Sequence, residues 1–306
     1  MKKIVIAGGT GNLGKLLSLH FLKKGYEVVV FSRSLKKGNS TNLHYVLWDG
    51  EEMGDWVRQL EGAEALINLS GVSINRRFTK KNKELLRLSR INSTVILGNA
   101  MQTLANPPKV WVNASGVSLF QRLENIQDER SNLVGEGFLA ELVQEWEAAF
   151  KQFVLMKTRK VVLRISPVLS AKFGMMEKLL PLTKWGLAGT VGTGKQIVSW
   201  IHEEDFVAML DWIIHTDYEI NICHATSPFP VTNEEFMRKL RNAAGSSIGL
   251  PLPSILAKVG SYLQGVDSGL LLDSVPVTTK LTTENGFSFK FPYIEQAFAQ
   301  IINKSK

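Results

Sequence analysis

The segment Gly8-Gly9-Thr10-Gly11-Asn12-Leu13-Gly14 follows directly on the apolar run Ile4-Val5-Ile6-Ala7. The run reads as a short buried strand, and the glycines as a tight turn that opens a helix at about Leu13. Glycines let the backbone come close to a pyrophosphate, and a helix N-terminus supplies free N–H groups with a partial positive charge. Three glycines alone are weak evidence; the strand–turn–helix context strengthens them. On this reading Gly8, Thr10, Gly11, Asn12, Leu13 and Gly14 cradle the phosphates of a dinucleotide.

Strand-like and helix-like stretches then alternate. Strands are predicted over 2–7, 27–31, 45–47, 65–69, 110–114 and 160–165, and helices over 13–24, 80–104 and 133–150. Gly25 stops the first helix and Pro107-Pro108 the second. Apolar strands separated by helices imply a parallel sheet buried on both faces, with its ligand outside the carboxyl ends of the strands. The expected fold is α/β: a Rossmann-type doubly wound parallel sheet with a smaller mixed C-terminal lobe on the substrate side. Beyond about Pro167 the pattern changes. A helix is predicted over 203–215, and prolines recur at 228, 230, 251, 253, 276 and 292. The expected division is a dinucleotide-binding domain over 1–225, with a loop or lid insertion at about 167–198, and a small lobe over 226–306. Gly186–Gln196, with glycine hinges and few anchors, suits a mobile lid or an ordinary flexible loop.

The 306 residues suit one large α/β domain or a nucleotide-binding domain with a smaller appended one. The net charge of +8 suits a ligand that carries phosphates. Basic residues are scattered, apart from short clusters such as Lys36-Lys37 and Lys80-Lys81. No basic stripe with interleaved aromatics marks a nucleic-acid partner. The single cysteine, Cys223, rules out an intramolecular disulfide and reads as a buried structural thiol. The five histidines, at 20, 44, 202, 215 and 224, lack metal-ligand spacing, and no metal is expected. The absence of a signal-peptide pattern and of any long apolar run leads to the expectation of a cytoplasmic protein with no membrane span. The expected partner is an unidentified small-molecule substrate; the assembly is left open, with a homodimer among the options.

The end of the second strand bears on the choice of dinucleotide. An acidic residue there accepts from the ribose 2′-OH of NAD. This chain has Ser32-Arg33-Ser34, and no acidic residue before Asp49. Arg33 can pair with a 2′-phosphate through its guanidinium fork, and Ser32 or Ser34 can donate to the same group. The expected cofactor is therefore NADP(H). Trp48-Asp49 follows the third strand, at the expected adenine edge. Leu69-Ser70-Gly71 follows the fourth, where backbone passes the ribose and pyrophosphate.

Further motifs are Ile67–Gly71, Ser89-Arg90-Ile91, Trp146-Glu147, Gly192–Gln196, Ser199-Trp200-Ile201-His202, Ala225–Asn233 and Gly286–Phe289. With the glycine turn, Ser32-Arg33 and Trp48-Asp49, they make nearly the whole chain similar to the extended short-chain dehydrogenase/reductases. More narrowly, it resembles the atypical epimerase-family proteins of short-chain dehydrogenase family 39U. The resemblance implies a Rossmann domain binding NADP(H), a small C-terminal substrate-side domain, and no defined substrate. It implies that Ser115 fills the position of the substrate-orienting serine and that Pro167 passes the nicotinamide. The superfamily also works with a Tyr-x-x-x-Lys pair one helical turn apart, the tyrosine carrying the proton and the lysine lowering its pKa. At that place this chain has Phe138 and Leu142, and none of its five tyrosines is followed four residues later by lysine. Relatives often carry tyrosines just after the serine, where this chain has Leu119-Phe120.

His202 is the substitute acid–base candidate, though its place before a helix favours the reading of a helix-start residue that holds backbone through a hydrogen bond. Asp205 is expected to anchor the same helix start. Glu141 reads as an acid or a solvated helix glutamate, and Arg90 and Arg164 as anion holders or as braces for the cofactor loop. His224 stands where relatives tend to have asparagine and is not expected to be catalytic. The leading functions are an NADP-dependent oxidoreductase or epimerase/dehydratase-like enzyme, and an NADP(H)-binding sensor or regulatory protein with a degenerate catalytic site; a weaker third is a scaffold or partner-binding module whose ligand only stabilises the fold.

Overall fold

Runs rich in valine, isoleucine and leucine, too short and too β-branched for helices, pair into one parallel sheet. The computed structural model describes residues 1–34 and 40–305, so the Lys36-Lys37 pair lies outside the described residues. The strands are β1 (Lys3–Ala7), β2 (Glu27–Ser32), β3 (Leu43–Leu47), β4 (Ala65–Asn68), β5 (Val110–Gly116), β6 (Arg159–Ile165), β7 (Val168–Leu169), β8 (Ile197–Val198), β9 (Ile201–His202), β10 (Ile222–Ala225) and β11 (Val231–Thr232). The helices are α1 (Asn12–Lys23), α2 (Lys80–Thr103), α3 (Phe138–Lys151), α4 (Gly174–Lys184), α5 (Glu203–His215), α6 (Asn233–Ala243), α7 (Ser254–Leu263), α8 (Gly269–Leu272), α9 (Leu281–Glu284) and α10 (Ile294–Ser305).

Seven strands form the sheet in the order β10-β6-β5-β4-β1-β2-β3. Every adjacent pair is parallel. This is the doubly wound α/β fold that the sequence leads to. One face buries Ile4, Ile6, Val28, Val112 and Leu163 under α1 and α5, with Leu17, Phe21, Phe206 and Leu210. The other buries Val5, Val29, Leu66 and Trp111 under α2 and α3, with Leu97, Met101 and Phe150. Cys223 sits in the first face as a buried thiol, and burial pushes its pKa up to about 12.

α3 starts at Phe138, five residues later than the sequence predicts. Gly135 and Glu136 donate N–H groups to the Leu119 and Gln121 carbonyls at 2.7 and 3.0 Å. A Cβ on Gly135 would stand 2.0 Å from the Gln121 carbonyl oxygen, and Gly137 takes φ +95°. Those constraints hold 133–137 out of the helix and against the turn that follows β5.

Two short pairs, β7 with β9 and β8 with β11, lie outside the main sheet. They frame a second core of Leu169, Met176, Trp200, Phe236, Leu240, Ile294, Phe298 and Ile301. Residues of the 167–198 stretch thus pack into the same core as the C-terminal helices. Thr232 and Glu235 close a capping box that fixes the start of α6. Among the described residues no helix is long and apolar enough to cross a membrane.

Candidate functional site

The carboxyl ends of β1, β4, β2 and β3 gather the predicted cofactor residues in one row. Gly8 turns the chain at φ +72°, and a Cβ on it would lie 2.9 Å from the Leu69 carbonyl and the Ser70 nitrogen. Gly14 lets α1 close on the turn, because a Cβ there would lie 2.4 Å from the Gly9 Cα. Gly11 faces open space; a Cβ on it would meet only the Gly8 carbonyl, at 3.5 Å. α1 begins on Gly11 without a side-chain cap and without an acidic residue in its first turn. Its opening N–H groups thus have no side-chain partner, and Asn12 is exposed and Leu13 half-buried, the condition in which a helix start accepts an anion. Ser70 donates its N–H to Asn68 Oδ1 at 3.0 Å, and its buried Oγ has no partner among the described residues. These features fit a dinucleotide pyrophosphate.

Arg33 leaves the end of β2 exposed, and Ser32 turns inward, its Oγ accepting the Ser34 N–H at 3.3 Å. Trp48 is not a surface platform. Its ring is buried against Phe31 and Trp56, at centroid distances of 5.6 and 5.7 Å. Asp49 accepts the Glu51 and Glu52 N–H groups at 2.8 and 3.2 Å, which lowers its pKa and shapes the turn after β3. Arg90 supports the row from below. It donates to the Val72 and Leu86 carbonyls and lies over the Trp146 ring at 5.3 Å. Burial, with Arg76 nearby, lowers its pKa to about 10, so it stays cationic at neutral pH. Of the two readings of Arg90, the contacts are those of a brace.

At the end of β5 the polar groups satisfy one another. Ser115 Oγ donates to Glu147 Oε1 at 2.8 Å. Arg164 grips the same carboxylate with two bonds, 2.7 and 2.9 Å long. Both charged side chains are 5% exposed. Burial pushes the Glu147 carboxyl up, but Arg164 and Ser115 outweigh it and hold it below the ordinary range. Arg164 Nη1 lies 3.4 Å from His224 Nε2, while His224 Nδ1 faces the Thr278 carbonyl at 2.9 Å. Those partners assign the proton to Nδ1, and burial lowers the pKa of the ring. Ser115, expected to orient substrate, is thus turned into the interior. Glu147 is a residue that the sequence reading passed over as part of a motif. It falls among Ala140, Val143 and Phe150 on the buried face of α3, and a carboxylate inside an apolar stripe was the signal.

Ser118, in the turn after β5, is half-buried, and its hydroxyl makes no hydrogen bond among the described residues. Phe138 and Leu142 join Leu86, Leu139, Phe78 and Leu270 in a small apolar cluster. Phe138 packs against Phe78 with the rings tilted and their centroids 5.2 Å apart. Glu141 is solvent-exposed.

His202 lies in β9, outside the row. Its Nδ1 accepts the Glu204 N–H at 3.2 Å and so caps α5; its Nε2 meets Gln300 Oε1 at 2.9 Å. The ring is fully buried on Phe291, and burial lowers its pKa. The acid–base role expected of His202 gives way to a cap, because both ring nitrogens are engaged in the interior. Asp205 anchors the same helix to the C-terminal segment by accepting the Lys290 and Phe291 N–H groups. Pro167 is exposed after β6, and its carbonyl accepts the Ile201 N–H at 3.1 Å. The Gly186–Gln196 stretch carries anchors that its glycines do not advertise. Val191 N–H donates to Asn233 Oδ1 at 2.8 Å, Gly192 N–H to the Leu252 carbonyl at 2.9 Å, and Ala188 is buried. Among the described residues no group of three or more His, Cys, Asp or Glu is arranged to hold a metal.

Comparison with known proteins places these features in context. The family described as NAD dependent epimerase/dehydratase matches residues 4–223. The chain is 30% identical over 304 residues to the epimerase family protein YfhF of Bacillus subtilis, covering 99% of each. It is 29% identical to the human epimerase family protein SDR39U1, covering 98% of this chain and 99% of that one. The crystal structure of human SDR39U1 with NADPH superposes with a TM-score of 0.87, at 28% identity, over 98% of this chain and 99% of that one. MoeE5 in complex with UDP-glucuronic acid and NAD shares the fold, with a TM-score of 0.74 at 15% identity, over 99% and 100% of the two chains.

Proposed function

Because the chain belongs to the NAD dependent epimerase/dehydratase family, we propose that it is an NADP(H)-dependent oxidoreductase or epimerase-like enzyme acting on a small carbonyl or sugar-like substrate. The observation that carries this reading is the uncapped start of α1, with glycines at each close approach and Arg33 exposed at the end of β2. The human relative solved with NADPH supports the same cofactor. When bound, the nicotinamide supplies or accepts a hydride. The chain's own part is to hold the phosphates on the α1 N–H groups, to pair Arg33 with the 2′-phosphate, and to offer the Ser118 hydroxyl to a substrate oxygen. A phenyl ring at Phe138 transfers no proton, and His202 is occupied. The proton is therefore assigned to water or to the substrate itself.

A second reading, a cofactor-binding sensor without turnover, draws on the burial of Phe138 and Leu142 in an apolar cluster. One experiment separates the two. NADPH and NADH are titrated into the chain and its Arg33→Ala variant, and NADPH oxidation is then followed with a panel of carbonyl compounds. The parent should prefer NADPH, and Arg33→Ala should cut that preference about tenfold or more. Turnover that Ser118→Ala abolishes supports the enzyme; tight binding without turnover supports the sensor. Equal affinity for both dinucleotides, unchanged by Arg33→Ala, removes the cofactor assignment.

A further inference from the structure

One helix of the C-terminal lobe is built inside out. α7 buries only Ala257 and Ser261. Ile255, Leu256, Val259 and Leu263 share the opposite side, because residues three and four apart lie on one face of a helix. All four are between 51% and 77% exposed. The preceding helix, α6, does the reverse and buries Phe236, Met237 and Leu240. The apolar surface continues into the segment that leads into α7, which pairs with the loop after α4. Leu250 N–H donates to the Gly186 carbonyl and Leu252 N–H to the Thr190 carbonyl, both at 2.8 Å. A Cβ on Gly186 would lie 3.3 Å from Ile248 Cγ2. This pairing sets Ile248 and Leu250 beside Trp185 and Leu187, all of them exposed, and exposed Leu252 joins them to the start of α7. Apolar side chains exposed singly are ordinary, but a group of this size marks an interaction surface.

The charge of these segments has one sign. Residues 236–266 hold four cations and no Asp or Glu, and residues 170–200 hold four lysines and one glutamate. The two stretches therefore carry a formal charge of +7, out of +8 for the whole chain. Lys184 directly precedes Trp185, and Lys258 directly precedes Val259. Both lysines are exposed and make no ion pair among the described residues. A lysine so placed lays its aliphatic stem along apolar surface and keeps its ammonium in the polar phase. The charge decides between a second copy of the chain and a lipid surface as the occupant. A twofold contact sets the same face against itself and so brings like charges together. An anionic bilayer takes the apolar side chains into its boundary and attracts the lysines. The ten residues of α7 span about 15 Å, so the helix lies in the interface and does not cross it.

We propose that the outer face of α7, with the paired segments 185–187 and 248–252, docks this chain on an anionic lipid bilayer. The aliphatic side chains enter the headgroup boundary, and Lys184 and Lys258 meet the lipid phosphates. The proposal goes beyond the reaction proposed for the chain and does not depend on it. The dinucleotide cradle gives no residue to this face, so cofactor binding and membrane binding are separable. Trp185 is the one exposed tryptophan among the described residues, which makes it a reporter of the contact.

The test is flotation of the full chain with vesicles of phosphatidylcholine and phosphatidylglycerol in equal parts, beside vesicles of phosphatidylcholine alone. The chain should float with the anionic vesicles and not with the neutral ones, and its tryptophan emission should shift to the blue. Ile255→Gln combined with Val259→Gln should weaken partition about tenfold or more. Lys184→Gln should weaken it about fivefold. Both variants should keep the parent's melting temperature and NADPH affinity. Trp185→Phe should still float but lose the blue shift. No partition onto the anionic vesicles, equal partition onto the neutral ones, or partition that Ile255→Gln with Val259→Gln leaves unchanged overturns the proposal. So does a dimer in vesicle-free buffer that the same double variant splits into monomers, since the face then belongs to a second copy.

Discussion

The Gly8–Gly14 cradle and the β5 edge stand two strands apart in one sheet, yet they treat polar groups in opposite ways. At the cradle, backbone donors are left uncapped and the side chains have been removed from their path. At the β5 edge, Ser115, Glu147, Arg164, His224 and the Thr278 carbonyl form a closed chain of partners. The first arrangement carries a free-energy debt that an anion settles. The second has none outstanding, and it ties α3, β6 and β10 to the C-terminal segment. Residue types that do chemistry elsewhere are therefore not catalytic simply by lying at the carboxyl edge of a sheet. What distinguishes a site from a brace is whether the partners of its polar groups are already supplied by the protein.

The strongest way to break this comparison is to remove one partner from the closed chain. Arg164→Met leaves the buried Glu147 carboxylate with only Ser115, at 2.8 Å, and the half-exposed Lys151 ammonium, at 3.1 Å, and should cost about 3 kcal/mol of stability in denaturant unfolding. The double variant Arg164→Met with Glu147→Leu should recover most of that loss, because the buried charge goes with its partner. NADPH affinity, measured well below the unfolding transition, should stay near that of the parent. A loss of affinity in Arg164→Met that exceeds its loss of stability would mean that the network belongs to the site.

Gly14→Ala probes the cradle from the other side and should have a smaller effect on stability. Its Cβ would sit 2.4 Å from the Gly9 Cα, so the turn must move away from α1. Overpacking of this kind costs about 1–3 kcal/mol. Moving the turn also moves the donors, so NADPH binding should fall by a larger factor than stability, the reverse of Arg164→Met. Fluorescence titration of NADPH beside thermal melting reads both quantities on one sample.

The cradle was legible because it is local: strand, turn and helix lie within Lys3–Lys23, and glycine spacing alone encodes the close approaches. The α5 limits, Glu203–His215, were legible for the same reason, since the acidic first turn and the apolar stripe are written in consecutive residues. The β5 edge was not. Ser115 finds Glu147 thirty-two residues on, and His224 finds the Thr278 carbonyl fifty-four residues on. Sequence marks Ser115 and His202 as capable of chemistry but says nothing about which neighbours consume that capacity. The Gly186–Gln196 stretch failed in the same way, because its anchors come from Asn233 and Leu252.

The smallest expected effect sharpens the comparison through pH. His224 and His202 are both buried, and burial lowers the pKa of each below the ordinary 6.5. Above that value both the folded and the unfolded chain hold neutral imidazoles, and the two histidines contribute no pH dependence. As pH falls through about 6.5, the unfolded chain takes up protons that the folded chain refuses, so stability declines. Each histidine contributes a slope of at most about 1.4 kcal/mol per pH unit. Burial raises Asp211 and Glu204, but hydrogen bonds from His20 and Lys24 to the first and from Lys290 and Lys304 to the second outweigh it and hold both near 2, well below this window. Melting temperature should fall between pH 7 and pH 5.5, and His224→Asn should flatten the fall while keeping a donor toward the Thr278 carbonyl. The cradle residues 8–14 carry no titratable side chain, so the same variant should leave NADPH affinity unchanged across that range. A slope that persists undiminished in His224→Asn would mean that the imidazole is not held neutral against Arg164, and the β5 edge would lose its description as a closed set of partners.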